Sequence, residues 1–162
     1  MSADPSSETD MSINFSIDRP NSETALTLIR ELDSDLGSRY PQQWIHGLHP
    51  EDVVDSRLVF IVMSVDNVPI GCGALRPFDH DTTEVKRMFI KPDFRGHGYA
   101  RRLLEHLESI AKQSGYKAVR LETGTKQPEA IGLYESSGYS LIPAFGEYVG
   151  NPFSLCYEKK LH

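Results

Sequence analysis

The stretch Arg95-Gly96-His97-Gly98-Tyr99-Ala100 joins a segment typical of a strand to a strongly amphipathic helix pattern. Residues 84–90 are predicted to form the strand, and residues 91–94 its exit. After the stretch, apolar residues recur at the spacing of one helix face, with charged residues on the opposite face. These apolar residues are Ala100, Leu103, Leu104, Leu107, Ile110 and Ala111.

Two glycines, Gly96 and Gly98, allow a tight turn whose backbone N–H groups point inward at the first turn of the helix. Free N–H groups and the positive end of the helix dipole together form an anion site. Arg95 precedes the turn, and Arg101 and Arg102 follow it, so full positive charges lie close by. We interpret the stretch as a phosphate cradle that suits a diphosphate.

A dinucleotide is one alternative ligand for such a cradle. The dinucleotide-binding fingerprint requires Gly or Ala three places after its second glycine, where helix and strand pack closely. Arg101 occupies that place here and is too large. Glu122, at the end of the next predicted strand, could still imitate the acid that binds the ribose. A nucleotide-dependent oxidoreductase therefore remains an alternative.

The pattern Arg-x-x-Gly-x-Ala at residues 95–100 resembles the acetyl-CoA pyrophosphate loop of the GNAT superfamily of N-acetyltransferases. The resemblance covers residues 58–160 well and the N-terminal third only loosely. Before the loop it includes Glu84-Val85-Lys86-Arg87-Met88-Phe89-Ile90. After the loop it includes Leu121-Glu122-Thr123-Gly124 and Gln127-Pro128-Glu129-Ala130-Ile131-Gly132-Leu133-Tyr134-Glu135-Ser136-Ser137-Gly138-Tyr139.

This resemblance implies an α/β fold with a mixed central sheet of about seven strands, a central parallel pair that splays apart, and about four helices. It also implies direct transfer of an acetyl group from acetyl-CoA to a primary amine of a small molecule or amino acid. Two alternatives stay open: a catalytically idle acyl-CoA-binding sensor module, and a protein or peptide N-acetyltransferase. Because the family is often dimeric, a homodimer is a further expectation.

The resemblance also assigns residues that bind the cofactor. In the family, the pantetheine arm pairs with backbone groups of the splayed strand, and the match gives this role to Met88, Phe89 and Ile90. Gln127 stands where many relatives have an asparagine that contacts the cofactor, and a glutamine can make similar hydrogen bonds. The cradle itself would consist of Arg95, Gly96, His97, Gly98, Tyr99, Ala100 and Arg101.

Tyr134 is the candidate acid that would protonate the departing thiolate. It shares a helical stripe with Ala130 and Ile131, a position that would also suit a core tyrosine. Its Ala-Ile-x-Leu-Tyr context, however, matches the place where the superfamily has its thiolate-protonating tyrosine. The resemblance therefore favours the catalytic role.

Glu84 is the candidate base. It lies six residues before Ile90 and matches a glutamate that some superfamily members use directly or through water. Glu122 is an alternative because the end of its strand also faces the predicted cleft, and His80 is a weaker one. A carboxylate that abstracts a proton near neutral pH needs a pKa raised by burial.

Several polar and aromatic residues could line the acceptor pocket, although each also fits ordinary packing. They are Arg76, Tyr40, Trp44, Glu122, Phe145 and Tyr148. The two cysteines, Cys72 and Cys156, have no metal-like spacing, so we predict neither a metal site nor a disulfide.

Along the chain, residues 1–11 are polar and predicted to be a disordered tail, and residues 12–162 a single domain. A strand at 12–18 precedes a helix that ends at Gly37. Residues 58–65 and 69–76 are predicted to form a hairpin around Asp66-Asn67. Gly71 and Gly73 in its second strand indicate a bulge or a close backbone approach. The later predicted elements are strands at 83–90 and 117–123 in parallel, a helix at 128–137, and strands at 139–142 and 154–160.

The composition of the 162-residue chain is that of an ordinary globular protein, with 39% hydrophobic and 25% charged residues. A formal net charge of −6 argues against general nucleic-acid binding, which requires a basic surface. No apolar run is long enough to span a membrane, and the first fifteen residues lack the apolar core of a signal peptide. We therefore expect a cytoplasmic protein whose partner is a small-molecule amine, without a nucleic-acid or membrane partner.

Overall fold

The structure is a computed structural model that describes residues 12–162, so the tail predicted for residues 1–11 lies outside the described residues. Seven strands form one sheet in the order β1-β2-β3-β4-β5-β7-β6. Their bounds are β1 (Ile13–Asp18), β2 (Val59–Val65), β3 (Val68–Pro77), β4 (Thr82–Ile90), β5 (Ala118–Gly124), β6 (Ser140–Ile142) and β7 (Ser154–Lys160). Strands β4 and β5 are parallel, and the other neighbours in the sheet are antiparallel. This confirms the predicted mixed sheet with a central parallel pair.

The described part of the chain contains four α-helices. They are α1 (Glu23–Gly37), α2 (Pro50–Val53), α3 (Tyr99–Gln113) and α4 (Pro128–Ser136). Ser22 caps α1, because its Oγ accepts a hydrogen bond from the Ala25 N–H at 3.0 Å. Short 3₁₀ turns lie at Gln42–Trp44, Pro92–Phe94 and Gly146–Tyr148. None of the helices in residues 12–162 has both the length and the apolar character that crossing a lipid bilayer requires.

Both faces of the sheet are covered, which explains the unbroken apolar run in β2. α3 packs Leu107 against one face, where Ile61 of β2 is also buried. α1 packs Leu28 against the other face, where the neighbouring Phe60 is buried. Because successive side chains of a strand point to opposite faces, a strand between two helix layers is apolar at every position.

The predicted hairpin between β2 and β3 is confirmed. Val65 pairs with Val68, and Asp66 and Asn67 between them both have positive φ angles, 49° and 67°. Two such residues are characteristic of a type I′ turn, whose twist matches that of the flanking strands. The turn therefore fixes the register that the two apolar strands share.

The parallel pairing of β4 and β5 is short. It runs from Thr82 opposite Ala118 to Val85 opposite Leu121, although both strands continue beyond that point. The two strands therefore part in the middle of the sheet, as the resemblance implied.

A β-bulge lies next to the point where the strands part. In the pairing of β3 with β4, Ala74 lies opposite Lys86 and Cys72 opposite Phe89, so Gly73 alone faces two residues of β4. The interruption predicted from the glycines is thus confirmed, with the extra residue on β4.

Two glycines allow a stability test with one and the same substitution. A Cβ at Gly71 would lie 2.5 Å from the Phe89 carbonyl oxygen, whereas a Cβ at Gly132, inside α4, would meet nothing within 4 Å. We expect Gly71→Ala to lower the free energy of unfolding by about 1–3 kcal/mol through overpacking. Gly132→Ala should raise it by about 0.5–1 kcal/mol through helix propensity. Urea unfolding measures both, and equal effects of the two variants would contradict the close approach at Gly71.

Candidate active site

A cleft of about 410 Å³ opens where β4 leaves β5. β4, α4 and the start of α3 form most of its wall, and Leu32 and Asp35 of α1 complete it. The cleft brings together most of the cofactor-binding residues predicted from sequence. Those that line it are Met88, Phe89, Ile90, Arg95, Gly96, Gly98, Tyr99, Ala100, Arg101, Gln127 and Tyr134. His97, an exposed residue of the turn, does not line the cleft.

The turn before α3 has the geometry of an anion site. Gly96 and Gly98 have φ angles of 82° and 80°, the left-handed conformation that glycine adopts without steric cost. Gly98 occupies the N-cap of α3 and has no side chain to accept a hydrogen bond from the first turn. No N-cap side chain therefore stands between the first turn of α3, with the positive end of its dipole, and an anion in the cleft.

Two arginines add positive charge to this anion site. Arg101 donates hydrogen bonds to the hydroxyls of Ser136 and Ser137, at 2.7 and 2.9 Å. Both partners are neutral, so these bonds fix the guanidinium and leave its charge uncompensated. The guanidinium of Arg95 lies 3.6 Å from a carboxylate oxygen of Asp35, a contact that a bound anion would compete with.

The backbone of Ile90 faces the edge from which β5 has departed. The Lys91 N–H donates to Ile70 of β3 at 2.8 Å. Because backbone groups of successive strand residues alternate between the two edges, the N–H and C=O of Ile90 point into the cleft. Consistent with this, the Ile90 carbonyl accepts a hydrogen bond from Arg95 Nε at 2.9 Å. A chain-like ligand in the cleft could pair with this edge.

The phenol of Tyr134 points into the cleft, is protonated and has no hydrogen-bond partner among residues 12–162. Burial and the negative charge of Glu122 raise its pKa, so the hydroxyl keeps its proton at neutral pH. Its ring is 5% exposed and packs edge-on against Tyr139, with centroids 5.8 Å apart. Within residues 12–162 its hydroxyl forms no hydrogen bond, so it is free to donate to a group in the cleft.

Tyr40, predicted to line the acceptor pocket, instead braces the turn between β5 and α4. Its hydroxyl accepts from the Lys126 N–H at 3.0 Å and donates to Gln127 Oε1 at 3.3 Å. A Cβ at Gly124 would lie 1.9 Å from this hydroxyl, so only glycine fits there. Tyr40 therefore holds Gln127, which does line the cleft.

Glu84 lies on the sheet face that α3 does not cover, and it is completely buried, with 0% exposure. Arg76 donates to its Oε1 at 2.6 Å, and the Tyr148 hydroxyl donates to its Oε2 at 2.5 Å. Arg76 also donates to Asp52 at 3.2 Å. Both oxygens of Glu84 are thus occupied by residues that were themselves predicted for the acceptor pocket.

A second chain of contacts extends from Tyr148 to the surface. Lys86 donates to the Tyr148 hydroxyl at 2.8 Å and to Glu147 at 3.1 Å. The other oxygen of Glu147 lies 2.6 Å from Nε2 of His49. The sequence prediction missed Lys86, Glu147 and His49. Of these three, only Lys86 could have been found from the sequence, because a residue two places from Glu84 on a strand lies on the same face.

The polar cluster comprises Arg76, Glu84, Lys86, Glu147 and Tyr148, with Glu122 beside them. Glu122 differs from the other two carboxylates, Glu84 and Glu147. Its one hydrogen bond within residues 12–162 comes from Ser154 Oγ at 2.6 Å, and no cation of the described residues bonds it. Burial raises the pKa of Glu122, and the charges of Glu84 and Glu147 add to the effect against the opposing Lys86. Glu122 does not line the cleft, but its charge adds to burial in raising the pKa of Tyr134, which does, so a carboxylate of raised pKa lies near the cleft.

The remaining predicted residues occupy the periphery. Phe145 packs edge-on against Tyr148, with ring centroids 5.3 Å apart. Trp44 is half-buried, and its carbonyl accepts a hydrogen bond from Asn151 at 3.4 Å. His80 is exposed and outside the cleft. The structure thus gives Phe145 and Trp44 packing roles and separates His80 from the other candidates.

The sequence profile of the Acetyltransferase (GNAT) family matches residues 26–139. The chain belongs to the GNAT acetyltransferase family. An "IAA acetyltransferase" of Azospirillum brasilense is 36% identical over 150 residues, which are 92% of this chain and 98% of the relative. The recognition of a GNAT acetyltransferase from the sequence is thereby confirmed.

Solved structures show the same fold. A Klebsiella pneumoniae protein assigned as an acyl-CoA N-acyltransferase has a TM-score of 0.78 and 30% identity, with 93% of this chain and 98% of that chain covered. The PaiA N-acetyltransferase of Thermoplasma acidophilum, solved with coenzyme A, has a TM-score of 0.74 and 21% identity, with 93% and 100% covered. The GNAT arrangement of strands and helices is therefore confirmed.

The shifted pKa of Glu122 predicts how the stability of this acetyltransferase depends on pH. Because its pKa is higher in the folded state, the wild-type protein loses stability as pH rises through that value. Glu122→Gln removes this loss, so its stability relative to wild type should increase from pH 5 to pH 8. Urea unfolding at several pH values measures the difference.

Glu147→Gln is a control of opposite sign. Burial alone would raise the pKa of Glu147, but the hydrogen bond with His49 and the charge of Lys86 outweigh it and lower the pKa. The stability that Glu147 contributes is present above its ordinary pKa and is lost as pH falls through the lowered value. Glu147→Gln should therefore be destabilising at pH 7, and less so in acid. Parallel pH profiles for the two variants would refute these charge assignments.

Proposed function

We propose that the protein transfers the acetyl group of acetyl-CoA directly to a primary amine of a small molecule, with both substrates bound together. The observation that carries this proposal is the continuity of one cleft. It joins the anion site at the start of α3 to the free hydroxyl of Tyr134. The match to a relative named IAA acetyltransferase over 98% of its length supports a transferase of the same layout.

The residues of the cleft fit acetyl-CoA from one end to the other. Its diphosphate would lie on the N–H groups of α3, beside Arg95 and Arg101. Its extended pantetheine arm would run along the free edge at Ile90, where backbone N–H and C=O groups can pair with its amides. When bound, it would supply an activated acetyl thioester. The chain supplies position, a carbonyl-polarising N–H on β4, and the proton transfers.

Tyr134 is the proposed acid. Acetyl transfer releases a thiolate, and a phenol with a raised pKa is fully protonated and ready to donate when the thiolate forms. Its position in the cleft and its free hydroxyl support this role better than a purely packing role.

For the base, the geometry supports Glu122 more than Glu84. An amine could reach Glu84 only if Arg76 or Tyr148 first moved away, because both carboxylate oxygens are occupied and the side chain is buried. Glu122 has a raised pKa and a single hydroxyl partner, so it can accept a proton from an incoming ammonium. We assign Glu84 the task of holding Arg76 and Tyr148 in the acceptor region.

The enclosure of the polar cluster supports a small acceptor. Segment 38–57 contacts segment 143–153 through the pairs of His49 with Glu147 and Asn151 with Trp44. These contacts cover the cluster and leave less room for a protein chain than for a small amine. Cytoplasmic location and a homodimer stay predictions from the sequence.

A steady-state assay of CoA release across small amines, amino acids and peptides tests this function, with Tyr134→Phe as its key variant. We expect turnover with a small amine, and a kcat about 100-fold lower in Tyr134→Phe, because the ring stays but the proton donor is lost. The matched control is Tyr139→Phe, which removes the hydroxyl of the neighbouring ring that donates to Glu108.

The control variant should change stability and keep kcat within about twofold of wild type. Turnover only with peptides would favour the protein-acetyltransferase alternative. Binding of acetyl-CoA without turnover of any acceptor would favour the idle sensor. A Tyr134→Phe variant with normal kcat would return Tyr134 to a packing role.

The base assignment predicts a difference between two glutamine variants. The rate constant kcat/KM should rise with pH on a limb set by the enzyme carboxylate, and Glu122→Gln should abolish that limb. Glu84→Gln should keep the limb and raise KM for the amine, because Arg76 and Tyr148 lose their anchor. The profiles require one acceptor of known pKa. Loss of the limb in Glu84→Gln alone would place the base on β4.

A further inference from the structure

Arg87 adopts a left-handed backbone conformation inside β4, with a φ angle of 58°. Among the described residues other than glycine, only the hairpin residues Asp66 and Asn67 share a positive φ. Arginine has no short polar side chain to favour this conformation locally, so the surrounding structure must hold it. Such residues are concentrated at sites where the backbone geometry serves a function.

Arg87 lies at the point where the cleft begins. Together with Met88 it forms the bulge opposite Gly73, and the last residue of β4 that pairs with β5 is Val85. A bulge bends its strand and increases the local twist. The bulge therefore turns β4 away from β5, and its second residue, Met88, is the first residue of β4 that lines the cleft.

Three contacts hold Arg87 in place. Its guanidinium forms an ion pair with Asp33 of α1, and its side chain is only 4% exposed. A Cβ at Gly47 would lie 3.3 Å from its Nη1, so the chain passes directly over the guanidinium. The Cys72 thiol donates to its carbonyl oxygen at 3.4 Å. The bulge is thus fixed through both its side chain and its backbone.

Asp33, the partner of Arg87, belongs to α1 but does not itself line the cleft, because it lies with Arg87 and Gly47 at a second pocket. Leu32 and Asp35, on either side of Asp33 in α1, both line the cleft. The ion pair between Asp33 and Arg87 therefore ties β4 at the bulge to the helix whose residues Leu32 and Asp35 form part of the cleft wall.

We propose that Arg87 is a positioning residue for acetyl transfer. Its ion pair with Asp33 holds the bulge, and the bulge aims the backbone of Met88 to Ile90 at the donor. This inference rests on the proposed function, because it concerns the same cleft. A purely structural ion pair would support the stability of the fold and leave the affinity of the folded protein for acetyl-CoA unchanged.

Arg87→Gly and Asp33→Asn test the proposal in the full-length chain. Glycine accepts the left-handed conformation, so Arg87→Gly removes the ion pair without straining the bulge. We expect each variant to raise the Kd for acetyl-CoA about tenfold and to lower kcat, because small displacements of positioning groups have large effects. Calorimetry measures the Kd. Amide hydrogen exchange of the free protein should be faster at residues 89–91.

Charge reversal supplies the rescue. Aspartate tolerates a left-handed conformation, so the double variant Asp33→Arg with Arg87→Asp can rebuild the ion pair in reverse. It should recover affinity to within about threefold of wild type, whereas each single reversal should be worse than Arg87→Gly. The matched control is Glu158→Gln, which breaks the ion pair of Glu158 with Arg120 at 2.6 Å, away from the cleft. That variant should keep the Kd within about twofold.

The inference is overturned if Arg87→Gly and Asp33→Asn lower the melting temperature but keep the wild-type Kd and exchange rates. It is equally overturned if the double reversal does not recover affinity for acetyl-CoA. If Arg87→Gly fails to fold, the Kd values of Asp33→Asn and of the double reversal decide whether the inference holds. If the wild-type protein does not bind acetyl-CoA, the proposed function fails, and hydrogen exchange of the free variants still decides whether Arg87 holds the bulge.

Discussion

The end of the parallel pairing after Val85 and Leu121 is the constraint on which the rest of the structure depends. A strand that leaves its neighbour exposes backbone N–H and C=O groups, and inside a protein such groups need partners. Here the carbonyl of Ile90 finds one in Arg95, and the adjoining edge faces the cleft. The parting of the strands thus leaves one edge of β4 facing the cleft, where the proposed function pairs it with an extended ligand.

The same gap lets groups from opposite faces of the sheet meet. Tyr134 belongs to the apolar core beneath α3 and α4, whereas Glu122 points to the other face, where it bonds Ser154. In a continuous sheet these two side chains would be separated by backbone. Burial is the main cause of the raised pKa of Tyr134, and the charge of Glu122 adds to it where β4 and β5 have parted. Under the proposed function, an acid and a base on different layers would then serve one reaction centre.

Local patterns were sufficient to predict most of the fold and to single out most of the residues that line the cleft on β4 and at the start of α3. Three features depend only on residues that are neighbours in the chain, so the sequence predicts them. They are the glycine turn, the apolar stripe of α3 and the hairpin at Asp66-Asn67. The acceptor side depends on partners far apart in the chain. Glu84 is occupied by Tyr148, sixty-four positions away. The partners of Tyr40 lie eighty-six and eighty-seven positions away. The residue pattern of β4, the strand that carries Glu84, does not indicate partners so distant in the chain.

The distribution of charge gives the cleft a direction. At one end, the dipole of α3 and the guanidinium of Arg101 present positive charge. The groups that Arg101 bonds are neutral hydroxyls. Glu122 does not line the cleft, but it places near Tyr134 a carboxylate that no cation of the described residues bonds, while Arg76 and Lys86 are engaged by Glu84 and Glu147. Under the proposed function, a donor with phosphates would be drawn to the start of α3, and an ammonium ion to the region of Glu122. The net charge of −6 does not reveal this arrangement, because it depends on which charges the fold leaves unpaired.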